Sequence, residues 1–142
     1  MQAQPKVLIV DDEDRFRTTL AKLLGLRGVP AKPVGSAAAA FEELNAAAYD
    51  VVLLDVRMPE MSGVEALAEI KKTHKNVEVI ILTGHASVDA AVEIMRLGGY
   101  EYLLKPCDVE DLMAKIESAY ERKLAREERL RKEAASPGNP SS

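Results

Sequence analysis

Short apolar runs alternate with longer segments of helical periodicity along the whole chain. The runs are rich in Val, Ile and Leu and cover residues 6–10, 31–34, 51–54, 78–82 and 102–104. They lack the apolar–polar alternation of a half-exposed strand, which is typical of strands buried on both faces of a parallel sheet. The pattern therefore predicts an α/β fold, a (βα)5 doubly wound sheet in which five parallel strands are each followed by a helix.

The segments between the runs repeat apolar residues every three or four positions, as amphipathic helices do. The residues that share a helix face are Phe16, Leu20, Leu23 and Leu24; Phe41 and Leu44; Leu67 and Ile70; and Val92, Met95 and Arg96. Gly25 and Gly28 are expected to follow the first helix, and Gly98 the fourth, because glycine leaves a helix at little conformational cost.

Polar residues at the predicted helix starts agree with this division. Ser36 precedes an alanine-rich helix, Ser62 forms a predicted capping box with Glu65, and Asp108 with Asp111 opens the last helix. In an open parallel sheet, ligands bind outside the carboxyl ends of the strands, where the loops into the helices converge. Candidate chemistry is therefore sought at those strand ends.

The chain is expected to form one domain over residues 5–122. The last helix is expected to continue over residues 123–133 as a projecting extension, because its apolar face thins out beyond Leu124. Residues 134–142, with a Ser-Pro-Gly-Asn-Pro stretch, predict a flexible tail.

Charge and cysteine content exclude several classes of protein. A formal net charge of −4 disfavours direct binding to nucleic acid or to an anionic membrane. Cys107 is the single cysteine and is interpreted as a structural residue that packs beside a strand. His74 and His85 lack the spacing of zinc ligands. No apolar run approaches the ~18 residues of a membrane span, so a cytoplasmic location is expected.

Acidic residues follow two strands that are neighbours in the predicted sheet. Asp11, Asp12 and Glu13 follow the first strand, and Asp55 follows the third. The simpler interpretation is a capped helix with solvated acids. The alternative is a cation site, because converging carboxylates resist full ionisation unless a cation lies among them. Oxygen ligands in a small loop-built cluster favour Mg²⁺, with Mn²⁺ as a substitute.

Two further strands end in groups that suit a phosphoryl ligand. Thr83-Gly84 follows the fourth strand and Lys105-Pro106 the fifth. Alone, the first pair is ordinary turn chemistry and the lysine an ordinary solvated charge. Together with the acids, however, a hydroxyl, an ammonium and a nucleophilic carboxylate indicate a phosphoryl-transfer site.

Four stretches carry a family resemblance: VLIVDDE at 7–13, DVVLLDVRMPEMSG at 50–63, LTGHAS at 82–87 and YLLKP at 102–106. The chain resembles the receiver domains of two-component response regulators over residues 5–122, with their flavodoxin-like fold. The stretch from Gly84 to Asp108 is similar to receivers attached to sigma-54-dependent activators. The resemblance implies a phosphoprotein that catalyses only its own phosphorylation and dephosphorylation. A sensor histidine kinase or a histidine phosphotransfer protein would supply the phosphoryl group.

The resemblance also implies a role for individual residues. It makes Asp55 the phosphoacceptor, with a metal ion held by Asp12, Asp55 and the backbone carbonyl of Arg57, and by Asp11 largely through water. Thr83 and Lys105 would bind the phosphoryl oxygens. The remaining implied roles are switching for Thr83 and Tyr102, tuning of phosphate lifetime for Arg57 and His85, a cis peptide before Pro106, and loop structure for Ser62 and Gly63.

The switch is expected to act on the face formed by the fourth helix, fifth strand and fifth helix, with a phosphorylation-dependent homodimer as a candidate assembly. Tyr102 could equally be a strand aromatic packed on the last helix.

An aspartyl-nucleophile phosphatase is disfavoured because Arg57 stands where that chemistry needs a second aspartate. The acidic rim disfavours a flavodoxin-like binder of flavin phosphate. A receiver-like module that docks a partner without phosphorylation stays open.

Overall fold

A computed structural model describes residues 4–135 as one sheet with helices on both faces. Its elements are β1 Val7–Val10, α1 Asp14–Leu26, β2 Ala31–Val34, α2 Ala37–Ala46, β3 Val51–Leu54, α3 Gly63–Thr73, β4 Glu78–Thr83, α4 Val88–Arg96, β5 Glu101–Leu104 and α5 Val109–Ala134. The predicted flexible tail lies outside the described residues from position 136 onward. Within residues 4–135, no helix combines the length and apolar character needed to cross a membrane.

The five strands are parallel and lie in the order β2-β1-β3-β4-β5. The residues of β1, β3 and β4 are all buried, because helices cover both sides of the sheet. Alternate residues of a strand point to opposite faces, so Leu8 and Val10 join the core on one side while Val7 and Ile9 join the core on the other. The predicted (βα)5 doubly wound fold is confirmed.

Most predicted helix boundaries agree with the structure. Ser36 accepts a hydrogen bond from the backbone N–H of Ala39 at 3.1 Å. Ser62 and Glu65 form both hydrogen bonds of a capping box. The prediction for Gly25 was wrong, because α1 runs through it to Leu26. Gly28 ends that turn instead, with a φ of 82° that favours glycine.

The predicted core face of α4 was also wrong. Val92 and Met95 are 55% and 48% exposed, whereas Ile94 is completely buried. The helix is only nine residues long and is apolar on two sides, so its periodicity did not distinguish the face that meets the sheet. An apolar surface of Val88, Val92 and Met95 is left on the outside.

The amino end of the sheet is tied to α5 by a polar network. Glu78 begins β4 and is fully buried, and its Oε2 atom lies 3.0 Å from Arg126 Nη1 and 3.3 Å from Arg122 Nε. Arg126 also donates to the side chain and the backbone carbonyl of Asn76, at 3.1 and 3.2 Å. The guanidinium therefore joins α5 to the start of β4 and to the turn directly before it.

A second ion pair continues the network. Lys123 lies 2.9 Å from Asp50, the residue before β3, and Glu127 accepts hydrogen bonds from both Lys123 and Asn76. The segment predicted to project, residues 123–133, thus starts against the body of the domain and is held there as far as Glu127. Local helix periodicity gave no sign of the contacts between α5 and the sheet, because they join residues 48 to 73 positions apart.

Arg126→Ala is expected to lower the free energy of unfolding by about 2–3 kcal/mol, because it removes a charge partner from the buried Glu78 carboxylate. Arg131→Ala is the matched control. Arg131 pairs with the partly exposed Glu128 farther along the same helix, so its loss should cost no more than about 0.5 kcal/mol. Chemical denaturation measures both values, and equal stabilities would show that the network does not anchor α5.

Candidate functional site

Backbone hydrogen bonds at the strand ends bring three of the candidate residues to one edge of the sheet. Asp11 N–H donates to Val34 at 3.1 Å and Asp55 N–H donates to Val10 at 3.1 Å, which carries the ladder one step beyond β1 and β3. Lys105 N–H donates to Thr83 at 2.8 Å in the same way. The side chains that follow the apolar strands therefore emerge together.

The three aspartates form the acidic cluster that the sequence predicts. Carboxylate oxygens of Asp11, Asp12 and Asp55 all lie within 4.8 Å of one another. Asp11 and Asp55 are 2% and 5% exposed, whereas Asp12 is open to solvent. These hard oxygen donors, two buried and one exposed, suit a cation that keeps part of its water shell, as Mg²⁺ does. The donor set fits the ion.

Lys105 supplies the positive charge that faces these acids. Its Nζ atom lies 2.7 Å from Asp11 Oδ2, 3.0 Å from Glu13 Oε1 and 3.7 Å from Asp55 Oδ2. The ammonium also lies 4.0 Å from the centroid of the Phe16 ring, a cation–π contact. The lysine is therefore held mainly by the carboxylates that follow β1, with Asp55 just beyond hydrogen-bond distance.

In the pair formed by Asp11 and Lys105, burial shifts each pKa in one direction and the charged partner shifts it in the other. Burial raises the pKa of Asp11, and hydrogen bonds from Lys105 and the Glu13 backbone offset this only in part. Burial acts to lower the pKa of Lys105, but its hydrogen bonds to Asp11 and Glu13 outweigh that effect and the pKa rises. Lys105 is therefore a firmly charged ammonium, whereas the buried Asp11 carboxylate is kept ionised at an electrostatic cost.

Thr83, His85 and Tyr102 are linked on the β4-β5 side of the site. Thr83 is completely buried, and its Oγ1 atom accepts a hydrogen bond from the His85 backbone at 3.3 Å. The Tyr102 hydroxyl donates to the His85 carbonyl at 2.8 Å. Tyr102 is partly exposed and also packs against a core cluster. The β4-α4 loop therefore joins the buried threonine to the tyrosine of β5.

Close backbone packing shapes the loop after Asp55. A Cβ atom on Gly63 would lie 2.4 Å from the Asp55 carbonyl oxygen and 2.6 Å from Val56 Cα, so only glycine lets α3 start so near β3. Ser62 caps that helix. Arg57 is exposed, and its backbone N–H points to Asp55 Oδ1 at 3.4 Å. On the other side of the site, the Lys105–Pro106 peptide bond is cis.

Sequence reasoning missed three contributors on α1 or directly before it. Glu13 was named among the acids but not placed on Lys105, and Phe16 was read only as a core residue. Arg17 donates to the backbone carbonyl of Asp11 at 3.1 Å, which helps to fix the acidic turn. The three-residue spacing of Glu13 and Phe16 could have shown that the two side chains share a helix face and meet the same partner.

The comparisons with known proteins agree with this geometry. The sequence matches the family described as "Response regulator receiver domain" over residues 7–117. It is 38% identical over 131 residues to the luminescence regulatory protein LuxO of Vibrio campbellii, covering 92% of this chain and 28% of that protein. The chain thus spans about a quarter of the length of the first curated relatives that it matches.

Solved structures show the same fold. A CheY-like receiver domain from Methanospirillum hungatei JF-1 superposes with a TM-score of 0.83 at 24% identity, covering 87% of this chain and 99% of that one. The beryllofluoride-activated NtrC4 receiver domain dimer matches at a TM-score of 0.78 and 35% identity, covering 83% and 98%. With its five parallel strands and the acidic edge, the chain belongs to the family of response regulator receiver domains.

Proposed function

We propose that this receiver accepts a phosphoryl group on Asp55 from a phosphohistidine of a sensor histidine kinase or a histidine phosphotransfer protein. The observation that carries the proposal is the juxtaposition of a buried Asp55 carboxylate with two further aspartates and the Lys105 ammonium. A nucleophile, a cation site and an anion-binding group within one edge of the sheet are the parts that phosphoryl transfer requires.

In the proposed step, an Asp55 carboxylate oxygen attacks the phosphorus in line as the phosphorus–nitrogen bond of the donor breaks. The imidazole leaves with the bonding electron pair and takes up a proton. Lys105 and the Thr83 hydroxyl then bind phosphoryl oxygens, with the ammonium offsetting negative charge on the transferred group. Water later attacks the phosphorus, which releases inorganic phosphate and restores the Asp55 carboxylate.

The proposed cofactor is Mg²⁺, with Mn²⁺ as a substitute. Asp12, Asp55 and the backbone carbonyl of Arg57 would hold the ion, and Asp11 would act on it largely through water. Bound there, the ion neutralises charge on the phosphoryl oxygens. The exposure of Asp12 and the mutual approach of the carboxylates support this assignment.

Two exposed side chains lie close in sequence to residues of the proposed site. Arg57 lies two residues beyond Asp55, and His85 lies two residues beyond Thr83. We therefore assign them to control of the phosphate lifetime.

Phosphorylation is proposed to draw Thr83 toward the phosphoryl group and so to change the contact between Tyr102 and the His85 carbonyl. The change would reach the face formed by α4, β5 and α5, where Val92 and Met95 are exposed. The beryllofluoride-activated NtrC4 receiver domain is a dimer, and we propose that this chain likewise forms a homodimer when it is phosphorylated. A cytoplasmic regulator of the sigma-54-dependent kind is the proposed setting.

A docking module that is never phosphorylated is the competing function. It would need neither a lysine beside Asp55 nor burial of that carboxylate, whereas Lys105 Nζ lies 3.7 Å from Asp55 Oδ2 and Asp55 is buried. A phosphatase acting on other substrates is disfavoured, because Arg57 cannot serve as the general acid two residues after the nucleophile.

Incubation with acetyl phosphate and Mg²⁺ is expected to add about 80 Da to the intact chain, the mass of one phosphoryl group. Asp55→Asn should abolish the addition, because the amide is a much poorer nucleophile than the carboxylate. Asp89→Asn, at an exposed position in the first turn of α4, is the matched control and should label normally. Absence of labelling in the wild-type chain would favour the docking module.

Arg57→Ala and His85→Ala are expected to shorten the lifetime of the phosphorylated chain. Opening the path of water should speed hydrolysis by roughly two- to tenfold, equivalent to at most about 1.4 kcal/mol in the barrier. Loss of the labelled mass with time measures the rate for each variant and for the double variant. Decay at the wild-type rate in all three would contradict the assignment.

A further inference from the structure

The Glu13 side chain does not cap the helix that it precedes. Glu13 is the N-cap residue of α1, yet its carboxylate accepts no hydrogen bond from the first turn of that helix. At each of the other four described helices, the N-cap side chain accepts a backbone N–H; these residues are Ser36, Ser62, Ser87 and Asp108. The role that its position favours is thus unused at Glu13.

The carboxylate of Glu13 instead binds the lysine of the site. Lys105 Nζ lies 3.0 Å from Glu13 Oε1, nearer than the 3.7 Å that separates it from Asp55 Oδ2. An ammonium has three protons to donate. Asp11 and Glu13 take two of them, at 2.7 and 3.0 Å, and the Phe16 ring lies 4.0 Å away. In this arrangement, both hydrogen bonds from Lys105 go to carboxylates other than that of Asp55.

The two partners of Lys105 differ in how easily they can be given up. The Asp11 side chain is buried, with 3% exposure, and its other oxygen accepts the Glu13 backbone N–H at 2.9 Å. The Glu13 side chain is 65% exposed, so water can solvate its carboxylate once the lysine has left. A new anion at Asp55 would therefore exchange with Glu13 and leave Asp11 in place.

We infer that Glu13 is a positioning residue: it holds the Lys105 ammonium in a resting arrangement, and a phosphoryl group on Asp55 competes with its carboxylate for the lysine. The inference rests on the proposed function of Asp55. Glu13 then acts as a built-in competitor, because its carboxylate and the phosphoryl oxygens are anions that attract the same ammonium. Its length and exposed position would set how readily the active arrangement forms.

Beryllofluoride, which mimics a phosphoryl group on a carboxylate, tests the competition directly by calorimetric titration at saturating Mg²⁺. Glu13→Gln weakens the contact by removing its charge and should tighten beryllofluoride binding by roughly two- to fivefold, the range expected for an exposed ion pair. Glu13→Asp keeps the charge but shortens the side chain, so that it no longer reaches Lys105, and should tighten binding similarly. Asp14→Asn removes one exposed charge next to Glu13 and should leave the affinity unchanged.

Mg²⁺ affinity and thermal unfolding separate positioning from a structural effect. Glu13→Gln should bind Mg²⁺ no more tightly than the wild type, since it lowers the negative charge near the site, while binding beryllofluoride more tightly. A role confined to the helix start would instead move the unfolding temperature and both affinities together.

Three results would overturn the inference, and they differ in what they imply for the proposed function. Equal beryllofluoride affinities in all four chains would overturn the inference and leave the proposed function intact. Tighter binding by Glu13→Gln and Asp14→Asn, but not by Glu13→Asp, would show a general effect of charge and would also overturn it. Failure of the folded wild-type chain to bind beryllofluoride in Mg²⁺ would count against the proposed function itself, and the inference would fall with it.

Discussion

The Lys105 ammonium is the positive charge that the described acidic edge of the sheet depends on. Parallel strands direct their carboxyl ends to one edge, so the residues that follow β1 and β3 bring Asp11 and Asp55 together in a buried setting. Carboxylates so close to one another repel, and burial strengthens the repulsion. Lys105 lies within 4 Å of two of them and also holds Glu13. The proposed divalent cation would supply the remaining positive charge.

At the opposite edge of the sheet, a buried carboxylate is neutralised by arginines of α5. There, Glu78 is buried at the start of β4 and is compensated by two arginines of α5, while Asp50 binds Lys123 of the same helix. These contacts anchor the helix far from the acidic edge. Stability thus comes from the apolar core and the amino edge, whereas the carboxyl edge keeps a set of mutually repelling carboxylates.

Local patterns in the sequence were enough to predict the sheet and most of the proposed site. Buried strands appear as uninterrupted apolar runs, and the residue after each run falls at the carboxyl edge, so Asp55, Thr83 and Lys105 could be located without coordinates. The face of α4 could not be chosen, because a short helix that is apolar on two sides fits the sheet equally well either way. Ile94 proved to be the buried residue, rather than Val92 or Met95.

Contacts between distant residues were beyond this reasoning. Glu13 and Lys105 are 92 positions apart, and Glu78 and Arg126 are 48 apart, so neither pair has a local signature. The charge on each residue was visible, but charged side chains on a surface are usually solvated. Which of them pair depends on how the helices pack on the sheet.

A crystal structure of the chain with Mg²⁺ and beryllofluoride tests the account most directly. The account predicts beryllium bonded to an Asp55 carboxylate oxygen, the metal ion held by Asp12, Asp55 and the Arg57 carbonyl, and Lys105 Nζ on a fluorine atom after leaving Glu13. Beryllium on a different side chain, or an Asp55 carboxylate without it in a crystal that contains both ions, would contradict the account.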